Sequence, residues 1–122
     1  MEDEWIRAVE DSLHSKGSYQ LVKKVRLVGM MLLVYSKEEH MGSISNISVA
    51  SVGTGGISHS LGNKGGVALK MKLQDTELCF VNSHLAAGDG EVERRNHDYN
   101  LINKGILFKQ VDNRMENSDI VV

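Results

Sequence analysis

The stretch from residue 62 to residue 99 decides the fold of this chain, and it reads GNKGGVALKMKLQDTELCFVNSHLAAGDGEVERRNHDY. It opens with Asn63 and Lys64 between glycines, and it closes on a helical pattern that starts with paired arginines. Between these ends, an apolar segment leads directly into Ser83 and His84. Because binding and catalytic residues concentrate where strands give way to loops, this arrangement indicates a functional site.

Two segments inside this stretch predict a β-hairpin. Residues 67–73 alternate between apolar and polar side chains, residues 74–75 form a short turn, and residues 76–83 return as a second strand. The second strand is apolar without alternation at residues 78–81, which is typical of a strand covered on both faces. We therefore expect this second strand to be the central one.

The residues before this stretch predict one helix followed by strands. Residues 3–13 place four apolar side chains on one helical face, namely Trp5, Ile6, Val9 and Leu13. Residues 19–36 have an extended pattern, and residues 30–34 are apolar on both faces, as in a strand covered on both sides. Residues 43–52 alternate and predict a further strand. The fold is thus expected to mix helices with sheets.

A second helix is predicted near Asp89, a residue type that caps helix N-termini well. Its apolar stripe comprises Val92, Tyr99, Ile102 and Ile106. Arg95 falls on the same stripe, whereas Arg94 is expected to face solvent and to pair with Asp98 four residues later. Residues 118–122 predict the start of another strand, so we expect the chain to stop partway into it.

Composition narrows the class of protein. The 122 residues correspond to one domain or a piece of one, and 14 basic residues nearly balance 16 acidic ones. A globally basic surface for nucleic acid is therefore not indicated. The single cysteine, Cys79, excludes an internal disulfide framework and fits a reducing compartment. No HExxH or CxxC spacing supports a local metal site.

The glycine-rich loop at residues 53–66 has two interpretations. Ser58 stands where a dinucleotide-binding loop needs its third glycine, and Asn63 precedes Lys64 where a phosphate-binding Walker loop needs glycine. The loop could simply connect two strands. Alternatively, its backbone approaches a ligand closely, and Asn63 and Lys64 offer donors to an anion.

His84 and Arg95 each carry two interpretations as well. His84 is either a structural histidine at a strand end or a residue that binds a phosphate oxygen and stabilises the charge developing there. Arg95 on a buried stripe needs a partner, since an unpaired buried charge is costly. That partner is either a carboxylate in a structural salt bridge, or the catalytic loop or a carboxylate that Arg95 orients from behind the site.

Together, these motifs resemble the catalytic domain of the inositol polyphosphate 5-phosphatases, especially the type II branch that includes the Lowe-syndrome protein. The resemblance covers nearly the whole chain, and its segments occur in the family's order. They are RLVGM at residues 26–30, VGTG at 52–55, GNKGGVA at 62–68, NSHLAA at 82–87 and ERRN at 93–96, with DY at 98–99.

This resemblance implies the α/β endonuclease/exonuclease/phosphatase fold, a four-layer sandwich with a mixed β-sheet core and flanking helices. It also implies Mg²⁺-dependent removal of the 5-phosphate from inositol lipids or soluble inositol polyphosphates, by attack of an activated water. His84 would contact the scissile phosphate, and Asn63 and Lys64 would approach the 1-phosphate side of the inositol. Asn82 and Ser83 complete the expected phosphate-binding set.

The resemblance further implies a membrane-facing loop at residues 56–61, with Ile57 and Leu61 as its apolar tips. Residues 1–122 match the central part of the family's domain, so we expect the Mg²⁺ ligands to lie outside this chain and the isolated chain to be inactive. A cytoplasmic protein, peripheral on endosomal, Golgi or plasma membranes and without a nucleic-acid partner, is expected. Two alternatives remain open: a phosphoinositide-binding pseudoenzyme and a DNase-like nuclease.

Overall fold

The computed structural model describes residues 1–55, 63–108 and 118–122. The elements within these ranges are α1 (Glu2–His14), β1 (Tyr19–Leu27), β2 (Met30–Lys37), a 3-10 helix (Glu38–Ser43), β3 (Ile44–Gly53), β4 (Gly65–Leu73), β5 (Thr76–His84), α2 (Val92–Gly105) and β6 (Ile120–Val121). The strands form an antiparallel pair, β1-β2, and a four-stranded sheet in the order β3-β4-β5-β6. β3, β4 and β5 are antiparallel neighbours, whereas β6 runs parallel to β5.

The elements stack in four layers. The β1-β2 pair covers one face of the four-stranded sheet through a cluster of Val22, Val34, Leu69 and Met71. α2 and the residues after it cover the other face through a cluster of Ala68, Cys79, Ile102, Ile106 and Phe108. α1 lies outside the β1-β2 pair, where Tyr35 Oη donates to Glu10 Oε1 at 3.2 Å. Among the described residues, no helix is long and apolar enough to cross a membrane.

Polar contacts, not buried side chains, attach α1 to the sheet. Glu2 lies 3.0 Å from Lys24 Nζ and 2.6 Å from Arg26 Nη1. The hydrogen bond from Lys24 and the positive charges of both partners lower the pKa of the Glu2 carboxyl. Trp5 remains 67% exposed, and no residue of α1 is fully buried. The predicted apolar face of this helix is therefore only partly covered: Trp5 is exposed, while Ile6, Val9 and Leu13 are half-buried.

β5 is an inner strand of the sheet and contacts a core cluster on each face, as predicted, but β4 is the more completely buried of the two inner strands. Every residue from Gly65 to Met71 is buried, whereas only Cys79 is fully buried in β5. The alternating pattern of β4 concealed this because Lys70 lies at a buried position. Its side chain is 2% exposed, and Nζ lies 3.1 Å from Glu77 Oε2. When a lysine is buried with an acidic partner, the sequence of a strand covered on both faces alternates like that of a strand with one exposed face.

Residues 19–36 form two strands instead of one extended segment. The chain turns between β1 and β2 at Val28 and Gly29, and Gly29 adopts a φ of 75°. β2 was expected to be covered on both faces, yet only Met30 and Val34 are fully buried. The reason is that α1 covers the outer face of the β1-β2 pair only in part.

α2 begins at Val92, three residues after the predicted start, and Glu91 occupies the N-cap position without a side-chain cap hydrogen bond. Asp89 cannot cap the helix because it lies between Gly88 and Gly90, whose φ angles are 110° and 76°. Left-handed backbone on both sides of a residue is incompatible with entry into a right-handed helix at that point.

The apolar stripe of α2 is shorter than predicted. Val92 and Tyr99 are 55% and 57% exposed, while Ile102 and Ile106 are buried. Only the second half of the helix packs on the sheet. Gly66 has no side chain, which leaves room for the side chain of Ile102 against β4. The predicted Arg94–Asp98 pair is also wrong: Arg94 lies 3.5 Å from Glu91, and Asp98 is buried.

Candidate phosphate-binding site

The sheet register brings Lys64 and His84 together. His84 is the last residue of β5 and pairs with Gly65, the first residue of β4, so the residue before Gly65 lies beside the histidine. Lys64 Nζ is 2.7 Å from His84 Nε2. The Lys64 carbonyl accepts a hydrogen bond of 3.0 Å from the Thr54 amide, which fixes the approach to β4. Two residues that are 20 positions apart thus form one exposed polar pair.

The contact between Lys64 and His84 fixes their hydrogen-bonding roles. An ammonium group has donors and no acceptor, so His84 Nε2 accepts and the ring proton lies on Nδ1. Lys64 Nζ and His84 Nε2 are nitrogens of two basic side chains that point at the same space. Such convergence of basic donors suits a phosphate or another oxyanion.

Glycines allow the close approach of the strands at this site. A Cβ on Gly65 would collide with the Val52 carbonyl oxygen and lie 2.9 Å from Gly53 Cα. The φ of Gly65 is 147°, which side-chain-bearing residues rarely adopt. A Cβ on the neighbouring Gly66 would lie 2.8 Å from Ile102. Gly65 and Gly66 therefore allow β4 to pack closely against β3 and α2, and this packing sets the position of Lys64.

Asn82 lies on the same face of β5 as His84, because alternate residues of a strand share a face. Its amide nitrogen donates to the Met31 carbonyl at 3.1 Å and so ties the end of β5 to β2. Ser83 points to the opposite face and lines a cavity of about 200 Å³ beside Leu85 and Tyr99. The structure therefore brings Asn82, and not Ser83, to the side of the sheet that carries His84.

Arg95 contacts the loop that follows His84, and no carboxylate pairs with it among the described residues. Its Nη1 donates to the Ala86 carbonyl at 3.3 Å and to the Gly88 carbonyl at 2.9 Å. This geometry is not the structural salt bridge of the first interpretation, and it matches the alternative in which Arg95 orients the loop. The role of Arg95 in a reaction stays a prediction.

Sequence reasoning missed Asp98. Its carboxylate is 9% exposed and accepts a hydrogen bond of 2.8 Å from the Ala86 amide. The signal was present in the sequence, because Asp98 follows Arg95 by three residues and therefore lies on the same helical face. We had assigned Asp98 to an exposed pair with Arg94 instead.

Three other predicted features have a limited description. Asn63 is exposed next to Lys64, at the same end of the sheet. Ile57 and Leu61 lie outside the described residues. Among residues 1–55, 63–108 and 118–122, no group of three or more His, Cys, Asp or Glu side chains could hold a metal ion.

Comparisons with known proteins add independent evidence. The Endonuclease/Exonuclease/phosphatase family 2 matches this chain over residues 1–122. The mouse type II inositol 1,4,5-trisphosphate 5-phosphatase is 53% identical over 111 residues, which are 91% of this chain and 11% of the relative. Human synaptojanin-1 is 36% identical over 104 residues, or 85% of this chain and 6% of the relative.

A solved structure is similar over nearly the whole chain. It is the inositol polyphosphate 5-phosphatase domain of SPsynaptojanin in complex with inositol (1,4)-bisphosphate and a calcium ion. The TM-score is 0.88 at 37% sequence identity, and the match covers 98% of this chain and 35% of that one. The chain thus spans about a third of that structure, and about a tenth or less of these curated relatives.

Proposed function

Because this chain belongs to the endonuclease/exonuclease/phosphatase family 2 and, within it, to the inositol polyphosphate 5-phosphatases, we propose that the complete protein removes the 5-phosphate from an inositol lipid or a soluble inositol polyphosphate. The match to the solved domain confirms the predicted fold. The observation that carries the proposal is the 2.7 Å contact between Lys64 and His84 at the mouth of the sheet.

The proposed reaction is hydrolysis of a phosphate monoester. A water oxygen bonds to phosphorus, the bond between phosphorus and the inositol 5-oxygen breaks, and the products are inorganic phosphate and an inositol hydroxyl. Negative charge grows on the phosphate oxygens during this step, and positioned donors stabilise it. His84 is the proposed contact to the scissile phosphate, with Asn63 and Lys64 toward the 1-phosphate.

The substrate class gains support from the neighbouring structure. Its ligand, inositol (1,4)-bisphosphate, is what remains when a 1,4,5-trisphosphate loses its 5-phosphate. For this chain, the proposal is therefore a ring that carries several phosphates, presented either by a lipid or in free form.

A divalent cation belongs to the proposal as well. Mg²⁺ is the ion we propose, and the calcium ion of the neighbouring structure supports a divalent cation in general. The described residues offer that ion no cluster of three ligands. We therefore assign the ion no step and no ligand in this chain.

The proposed location of the protein is the cytoplasm, with peripheral attachment to endosomal, Golgi or plasma membranes. The support is the family resemblance, together with the apolar residues Ile57 and Leu61 in the sequence between β3 and β4. A lipid substrate would require such attachment, whereas a soluble inositol polyphosphate would not.

A segment exchange tests the proposed activity. Residues 1–122 would replace the matching segment of the mouse type II 5-phosphatase, and phosphate release from inositol 1,4,5-trisphosphate would be measured with Mg²⁺. We expect turnover in the chimera. His84→Ala should lower kcat by about 100-fold, the usual scale for losing a donor that stabilises developing charge.

His97→Ala provides the matched control, since His97 is exposed on α2. It should leave kcat unchanged. A chimera that binds the trisphosphate without turnover would favour the pseudoenzyme alternative. An active chimera in which His84→Ala changes kcat by less than about threefold would assign His84 to structure.

A further inference from the structure

We propose that Asp98 and Arg95 are positioning residues that hold the loop after His84 and thereby set the imidazole at the phosphate site. This inference rests on the proposed function and adds residues that act through His84 without touching the substrate. The loop in question comprises residues 85–91, between the end of β5 and the start of α2.

Both backbone groups of Ala86 are bound to α2. The Asp98 carboxylate accepts from the Ala86 amide at 2.8 Å, and the Arg95 guanidinium donates to the Ala86 carbonyl at 3.3 Å. Arg95 also donates to the Gly88 carbonyl at 2.9 Å. We call these three hydrogen bonds the loop clamp. They restrain the amide and the carbonyl of Ala86 and the carbonyl of Gly88. They therefore fix both the position of the loop and its direction.

The loop has few other means of holding its shape. Ala86, Ala87 and Gly88 carry little or no side chain, and Ala87 to Gly90 are exposed. Gly88 and Gly90 adopt left-handed backbone, with φ angles of 110° and 76°. Glycine gives the chain this freedom at an entropic cost. Beyond Leu85, which packs against the core cluster on the α2 side of the sheet, the order of the loop therefore depends on the loop clamp.

Asp98 is suited to this task by its burial. A carboxylate that is 9% exposed is stable only with hydrogen-bond partners, and a charged acceptor makes a shorter and stronger bond than a neutral one. The backbone amide of Ala86 supplies such a partner. Losing Asp98 would free the loop, whereas losing an exposed charge on the same helix would not.

Hydrogen bonds anchor the chain on both sides of His84. Two residues before it, Asn82 donates to the Met31 carbonyl at 3.1 Å; two residues after it, Ala86 is held by the loop clamp. Strand ends are among the least stable parts of a fold, so His84 at the end of β5 depends on these anchors. A displacement of about 1 Å is enough to lower catalytic rates by about 100-fold.

The test follows the His84 ring by NMR in the 122-residue chain, with inorganic phosphate as the probe. The phosphate-free spectrum reports the tautomer that the Lys64 contact imposes, and the titration reports phosphate affinity. Asp98→Ala should mix the tautomers of His84 and weaken phosphate binding by about tenfold, the loss expected for a hydrogen bond to a charged group. Asp98→Asn should restore both readouts, because its side-chain oxygen can still accept from Ala86.

The matched control compares two adjacent arginines. Arg95→Ala should alter the His84 signal and weaken phosphate binding, while Arg94→Ala should change neither, since Arg94 is exposed and its ion pair is with Glu91. If Asp98→Ala does not fold, the comparison of Arg95→Ala with Arg94→Ala still tests whether His84 depends on the loop clamp. Signals of the buried residues Val67 and Leu69 report whether each variant keeps its sheet.

The outcomes separate this inference from the proposed function. If phosphate leaves the wild-type His84 signal unchanged, the proposed function fails, and the phosphate-free tautomer still tests the loop clamp. If Arg95→Ala and each folded Asp98 variant keep the wild-type tautomer and affinity within about twofold, His84 does not depend on the loop clamp and the inference is overturned.

Discussion

Lys64 and His84 show how a site can be assembled from two residues that the sequence keeps apart. The sequence predicted each of them separately, Lys64 from its glycine frame and His84 from its place at a strand end. It could not predict their contact, because that depends on the register of β4 against β5. A register that pairs Gly65 with His84 places Lys64 beside the ring, and a shift of one residue would turn His84 to the other face of the sheet.

Cys79 allows a prediction at the same scale. The thiol is fully buried on β5, and burial raises its pKa from 9.0 to about 11. The unfolded chain loses this proton at lower pH than the folded chain. The stabilisation linked to the protonated thiol is therefore complete below pH 9 and is lost as pH rises through about 11.

The comparison of wild type with Cys79→Ala isolates this contribution from other titrating groups. Denaturant unfolding between pH 8 and pH 11, a range that spans the shift from 9.0 to about 11, should show the free energy of unfolding of the wild type falling toward that of the variant as pH rises. A difference that stays constant across this range would mean that the thiol titrates normally in the folded protein.

At the scale of elements, residue patterns predicted most strands and both helices but assigned the greater burial to β5 instead of β4. β4 was expected to have one polar face, since Lys70 and Lys72 alternate with apolar residues. The structure buries Lys70 with Glu77, a pairing that only the neighbouring strand supplies. Periodicity reports residue polarity, and it cannot show that a polar residue has found a buried partner.

The start of α2 also shows that residue type alone does not decide local structure. Asp89 has the right residue type for an N-cap, yet its glycine neighbours decide the local backbone. The loop of residues 85–91 is held by Asp98 and Arg95, and the spacing of these two residues places them on one helical face without showing which backbone groups they bind.

Gly65 provides the prediction for this scale. Gly65→Ala should lower the free energy of unfolding by about 2 kcal/mol or more, because its backbone conformation is strained for alanine and its Cβ would overlap the β3 backbone. Denaturant unfolding of the variant measures the change.

Gly42→Ala is the matched control, since no atom lies within 4 Å of a Cβ at that position and its φ is not positive. We expect its effect to stay within about 0.5 kcal/mol, as for most surface substitutions. Equal effects of the two substitutions would show that β3 and β4 do not approach each other as closely as described.

At the scale of the whole molecule, the four layers position the end of β5 that carries His84. The β1-β2 pair covers one face of β4 and α2 covers the other. The hydrogen bond from Asn82 to Met31 joins β5 to β2, and the loop clamp joins the loop after β5 to α2. His84 lies between these connections. The layered core thus determines where the imidazole points, although no core residue takes part in the proposed reaction.

The layers could be predicted only through the family resemblance. Alternating strands and two amphipathic helices are compatible with many α/β arrangements. The motifs at residues 62–68, 82–87 and 93–96 selected one of them, and the TM-score of 0.88 confirms that choice.

The central claim is that Lys64 and His84 lie together in the binding site for an inositol polyphosphate, and one titration tests it most directly. The ring signals of the histidines would be followed by NMR while inositol 1,4,5-trisphosphate is added to the 122-residue chain, to Lys64→Met and to the control Lys104→Met on the exposed end of α2. The account predicts that the His84 signal shifts while His14, His40 and His97 do not, and that Lys64→Met alone weakens binding by about tenfold. A His84 signal that does not move, or an affinity that Lys64→Met leaves unchanged, would contradict it.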